Sequence, residues 1–152
     1  EDGLREKKVC PRDQLFLVQK RDGWHFSPQV FEDWAAGLLH RELEHPPDMM
    51  LLDEIGGMEL GCPSFSEVLY QLLESGIPCA GVYKQQKNAR AQQSAIDTGP
   101  RYDQNRQQLV KTLAGGSGGF LTLKDENREE VRRQVEAFVA RHLDDAAKEH
   151  LP

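Results

Sequence analysis

The chain reads as an α/β domain, a three-layer sandwich on a mainly parallel sheet. Short apolar runs alternate with longer segments whose apolar residues recur every three or four positions, the signature of strands interleaved with helices. One run, Met49-Met50-Leu51-Leu52, is continuously apolar, as expected of a strand buried on both faces beneath helices. Parallel strands joined in this way cross over right-handedly, which leaves few topologies open. The 152 residues, 38% hydrophobic and 29% charged, suffice for one domain with a real core.

Residues 1–13 are charged, contain Pro11 and lack apolar periodicity, so they predict a loose end. Leu15-Phe16-Leu17-Val18 predicts a strand, closed by a turn at Asp22-Gly23. Ser27 and Pro28 suit the start of a helix, as N-cap and first-turn proline. Phe31, Trp34, Ala35, Leu38, Leu39 and Leu43 form its apolar stripe, and Pro46-Pro47 ends it. After the Met49–Leu52 strand, Pro63-Ser64 opens a second helix with Phe65, Val68, Leu69, Leu72 and Leu73 on one face. Gly76 suits the left-handed position that closes it. Ile77 to Tyr83 predicts another strand. The glutamine-rich stretch from Lys84 to Thr98 predicts a loop or marginal helix, and Tyr102 to Leu113 a helix. Gly115 to Gly119 predicts a flexible turn, because Phe120 stands where a phosphate cradle needs lysine. Phe120 to Leu123 predicts a last strand. Asp125 would cap a final helix striped by Val131, Val135, Phe138, Val139 and Leu143, with Glu129–Arg133 and Glu130–Gln134 on its outer face. The organisation expected is a single domain, 1–152, with a flexible end at 1–13, a core at 14–143 and a tail at 144–152.

A net charge of −6 argues against a general nucleic-acid binder. No apolar run reaches the roughly 18 residues of a membrane span, and no leader opens the chain. Cys10, Cys62 and Cys79 lack metal or redox spacing and predict reduced thiols in the cytoplasm. The first residue, Glu1, suggests a piece of something longer.

The chemistry lies in Met49 to Leu60. An apolar strand that ends in Asp53-Glu54 places two carboxylates at the carboxyl end of a sheet, where ligands bind in such folds. Asp53 could there hold Mg²⁺ through water, and Glu54 could orient or deprotonate a water molecule. The same fragment also suits acids that cap a helix or pair with a basic neighbour.

The longer string Asp53-Glu54-Ile55-Gly56-Gly57-Met58-Glu59-Leu60 closely resembles the signature Asp-Glu-Ile-Gly-x-Met-Glu-Leu. That signature belongs to the thermophilic-type, or cancer-related, nucleoside-triphosphatase family of P-loop NTPases. Neighbouring features resemble the family in the same order. They are Phe26 to Trp34 with Phe31-Glu32, Phe65 in the following helix, Ile77-Pro78 to Val82, and Leu123 to Arg128 before the last helix. The resemblance covers most of residues 15–143 and is weakest between Lys84 and Gly119. It implies a P-loop NTPase-like fold and Mg²⁺-dependent hydrolysis of nucleoside triphosphates to diphosphates. Asp53 would bind Mg²⁺ and Glu54 would activate water. Asn127 would either lie near base or ribose or cap a helix.

The family opens with a strand, a Gly-x-x-Gly-x-Gly-Lys-Thr loop and a helix, which none of these residues supplies, so the fold is expected to be incomplete at its N-terminus. Such a loop holds the β- and γ-phosphates. Gly57 also stands where family members often carry lysine. Three explanations are open: an upstream segment outside this chain, a degenerate non-catalytic module working through a protein partner, or a structural coincidence. Among other candidates, His25, His40, His45, His142 and His150 form no ligand pair. Arg101 and Arg106 suit solvent-facing side chains or an arginine finger, and Trp24 and Trp34 suit the core or its edge.

Overall fold

The computed structural model describes residues 14–115 and 119–149, the side chains of 92, 93, 95 and 144–149 excepted. The readings for residues 1–13, Cys10, His150 and the glycines at 116 and 118 lie outside it. The first expected strand is half of a hairpin. Strand β1 (Leu17–Lys20) pairs antiparallel with β2 (Gly23–Phe26), Leu17 facing Phe26 and Lys20 facing Gly23. The turn is Arg21-Asp22, and Gly23 follows at φ +133°, where a side chain would be strained. Sequence reading missed β2 because its Gly-Trp-His-Phe run is only four residues long and begins with the glycine that marks the turn. The Ser27 amide donates to the Phe16 carbonyl at 2.8 Å and extends the hairpin at its open end, so the backbone of Ser27 serves the hairpin.

A π-helical stretch, Val30–Ala35, runs into α1 (Ala36–Glu44). Of the expected stripe, Phe31, Ala35 and Leu39 pack against the core, while Trp34 stays half exposed, as does Trp24. Strand β3 (Met50–Ile55) then pairs parallel with β4 (Cys79–Tyr83), joined by a 3-10 turn (Met58–Gly61) and α2 (Pro63–Glu74). Gly76, at φ +87°, lies just past α2, as expected of its left-handed stop. Helices α3 (Gln86–Ala95) and α4 (Tyr102–Gly115) follow, so the glutamine-rich stretch is helical for ten residues. The last helix, α5 (Arg128–Glu149), runs on through most of the expected tail.

The α/β class and the parallel pairing hold, with two departures. Among the described residues the parallel sheet has two strands, and it is not buried on both faces. Leu51 is 71% exposed and Val82 58%, and both lie on one face, because Val82 is two residues beyond Ala80, the partner of Leu51. The opposite face carries Leu52 into the core. Residues 120–123 form no strand: Phe120 packs its ring on Tyr83 at 5.6 Å, and Leu121 and Leu123 stay exposed.

The core gathers where α2 and α4 meet the 3-10 turn. Leu60, Leu69, Leu72 and Leu109 are wholly buried there, and Phe65 and Phe31 stack edge-to-face at 5.2 Å. Gly61 allows the closest approach, because a Cβ there would sit 1.9 Å from the Thr98 carbonyl oxygen. Among the described residues no helix is long and apolar enough to cross a membrane.

Candidate functional site

The ladder between β3 and β4 breaks at the two acids. Leu52 faces Gly81 and Ile55 faces Tyr83, so Asp53 and Glu54 together oppose Val82 in a bulge. Glu54 takes φ +57°, the left-handed region that a glutamate normally avoids. Such a residue costs about 1–3 kcal/mol and persists only where its surroundings over-determine it. Both acids therefore sit in the bulge, which ends one residue before the carboxyl end of β3, the end expected from the sequence. They line an open cavity of about 710 Å³, with Leu38, Leu39, Met50 and Leu52 on its apolar side.

Lys84, the first residue beyond β4, lies across the bulge. Its Nζ is 3.4 Å from Glu54 Oε1, with the lysine side chain 15% exposed and the glutamate 48%. Among the described residues lining the cavity, Lys84 is the one cation, against Glu42, Asp53, Glu54 and Glu59. The structure thus answers the open alternative in part: Glu54 does pair with a basic neighbour, and it does so inside a crevice.

Beneath the acids the chain is locked. Oε1 of the buried Glu59 accepts the amides of Gly56 at 2.7 Å and Gly57 at 2.8 Å. Burial pushes the Glu59 carboxyl above its ordinary range, opposed by those amides and by the charge of Lys84. The Gly56 carbonyl accepts from Tyr102 Oη at 3.2 Å and from Arg106 Nη1. Arg106 is 4% exposed, so it is neither the solvent-facing side chain nor a free finger. Sequence reading missed Glu59, Lys84 and Tyr102 as parts of this corner. The available signals were Glu59 within the signature, Lys84 directly after a strand, and Tyr102 and Arg106 one helical turn apart. Asn127 caps locally: its Oδ1 accepts the Lys124 amide at 2.8 Å, ahead of α5. The Cys62 thiol is pushed up to about 12, first by burial and then by the charges of Glu32 and Glu59, so it is no ready nucleophile.

Residues 19–136, from within β1 into α5, match the family model described as NTPase. The chain belongs to this NTPase family. No curated protein and no solved structure matches it. Membership agrees with the resemblance carried by Asp53 to Leu60 and with the α/β fold, and it makes the chain a nucleoside-triphosphatase-like domain.

Proposed function

We propose that the exit of β3 is the hydrolytic corner of a Mg²⁺-dependent nucleoside triphosphatase, active when a phosphate-binding loop completes it. The observation that carries this reading is the bulge, which turns two adjacent carboxylates out of the sheet into one cavity, with Glu54 held at positive φ. Glu54 would accept a proton from the attacking water. As the new P–O bond forms at the γ-phosphorus, the bond to the diphosphate breaks and the nucleoside diphosphate leaves with that electron pair. Lys84 would balance negative charge beside Glu54 and present its ammonium to the phosphate tail.

The donor set suits magnesium, since Asp53 and Glu54 offer hard carboxylate oxygens. Among the described residues no group of three or more His, Cys, Asp or Glu side chains is placed to hold an ion. Such an ion would be held by one or two carboxylates, water and substrate phosphate, with Asp53 as the protein contact. When bound, the ion would supply charge neutralisation at the phosphates. The free thiols of Cys62 and Cys79 agree with a cytoplasmic location.

A second reading, a non-catalytic nucleotide-binding-like module that works through a protein partner, is favoured by the bare sheet face at Leu51 and Val82. Phosphate release from Mg²⁺-ATP and Mg²⁺-GTP by the chain joined to a phosphate-binding-loop segment, with Glu54 intact against Glu54→Gln, separates the two. Loss of a general base lowers the rate about 10²–10⁴-fold. Equal rates in both proteins would remove Glu54 from the chemistry. Nucleotide binding without release by the joined chain with Glu54 intact would favour the module.

A further inference from the structure

Glu54 and Lys84 meet across a gap that neither strand controls. They stand on opposite sides of the ladder where it slips, and beyond the bulge the strands pair again at Ile55 and Tyr83, with the Lys84 amide donating to the Ile55 carbonyl at 2.8 Å. The next two carbonyls, Gly56 on one side and Lys84 on the other, point to a single group. Arg106 Nη1 donates to Gly56 O, and Nη2 donates to Lys84 O at 2.5 Å. Its Nε donates to Gln86 Oε1 at 2.9 Å, and its guanidinium lies 4.6 Å from the centre of the Tyr83 ring. The fork therefore extends the pairing past the point where the ladder resumes, bridging the backbone two residues past Glu54 to that of Lys84 itself.

We propose that Arg106 is a positioning residue that sets the spacing of Glu54 and Lys84 and holds Glu54 in its left-handed pose. The proposal rests on the hydrolytic reading only for what that spacing serves. A planar guanidinium presents donors at fixed angles and can join two carbonyls that belong to different strands, whereas an ammonium is a point donor and cannot hold that angle. Gly56 is part of the same device. At φ +94°, a Cβ there would stand 2.8 Å from the Tyr83 ring and 3.0 Å from Arg106 Nη1, so the fork closes only over glycine. Tyr102, four residues before Arg106 on α4, adds a second donor to the same Gly56 carbonyl.

The decisive variant is Arg106→Lys, which keeps the charge and most of the apolar stem and removes the fork. A role in packing or charge alone is rescued by lysine, and a positioning role is not. In a chain joined to the phosphate-binding-loop segment and still melting cooperatively, Arg106→Lys is expected to lower kcat about 10²-fold, the cost of a misplaced catalytic group, with KM within about threefold. It is also expected to speed amide exchange at Gly56 and Gly57 at least about tenfold, the size of a modest loss of local stability. Unchanged kcat, or kcat that falls only with the folded fraction, overturns the proposal. Should Arg106→Lys fail to fold, Gln86→Ala decides, because it removes one tether of the guanidinium from an exposed position. Faster Gly56 and Gly57 exchange in that variant supports the proposal, and unchanged exchange overturns it. Should the chain release no phosphate even when joined to a phosphate-binding-loop segment, the hydrolytic reading fails on its own, and the exchange comparison still judges Arg106.

Discussion

Helices α2 and α5 carry apolar stripes of the same spacing and end in opposite surroundings. In α2, Val68, Leu69 and Leu72 are wholly buried against neighbouring elements. In α5, none of the described side chains is buried, and Val135 and Leu143 are 40% and 48% exposed. What orders the outer surface of α5 is charge. Arg132 bridges Glu129 at 3.5 Å and Glu136 at 3.3 Å, and Glu130 accepts Arg133 at 2.7 Å and Gln134 at 2.8 Å. Arg133 thus pairs one residue closer than the expected Glu129. Periodicity tells which side chains share a face, but whether anything covers that face depends on distant parts of the chain.

The sharpest way to break this comparison is one substitution made twice. Leu69→Ala removes a leucine with no exposed surface and is expected to cost about 2–5 kcal/mol, the range for core leucines. Leu143→Ala, on the exposed stripe of α5, is expected to cost less than about 1 kcal/mol, because little area is withdrawn from water there. Urea unfolding of both variants measures the difference. Equal losses would mean that α5 is packed in solution against something else.

The locked loop under the acids gives the next largest effect. Glu59→Ala leaves the buried amides of Gly56 and Gly57 without their acceptor and is expected to cost about 2–4 kcal/mol. Glu59→Gln keeps an oxygen in place for both amides and is expected to fold. It also tests the buried charge. Burial raises the pKa of Glu59 in the folded chain above its ordinary 4.5, so between those two values the folded state binds more protons than the unfolded state. The contribution of Glu59 to stability is therefore largest on the acid side and is lost as pH rises through that interval. Subtracting the pH profile of Glu59→Gln from that of wild type should show this falling slope; a flat difference would mean that the two amides fully offset the burial.

The contrast also explains what the sequence could reveal. Asp53 and Glu54 were legible because an apolar run that stops at two acids states its own polarity change, and position at a strand exit follows from that alone. The stop at Gly76 was legible for a similarly local reason. Strand β2, the bare face at Leu51 and the absence of a strand at 120–123 were not, since each depends on which segments find partners across long separations. Arg106 is the clearest case. Its polar neighbourhood in sequence predicts exposure, yet its main acceptor, Gly56, lies 50 positions away. The positive φ of Glu54 was hidden too, because glutamate has no preference that announces it.

The smallest expected effect lies on the outer surface of α5. Arg132→Ala removes both bridges to Glu129 and Glu136, yet all three side chains are more than half exposed, so water and salt already screen them. Global stability should stay within about 0.5 kcal/mol of wild type, as for other surface changes. Amide exchange along α5 should rise while that of α2 stays fixed, because these bridges hold only their own helix. Raising the salt concentration on wild type should reproduce the same selective increase. If Arg132→Ala instead loosened α2 as strongly as α5, the two helices would share one cooperative unit, and the exposed stripe of α5 would be coupled to the core through contacts that form in solution.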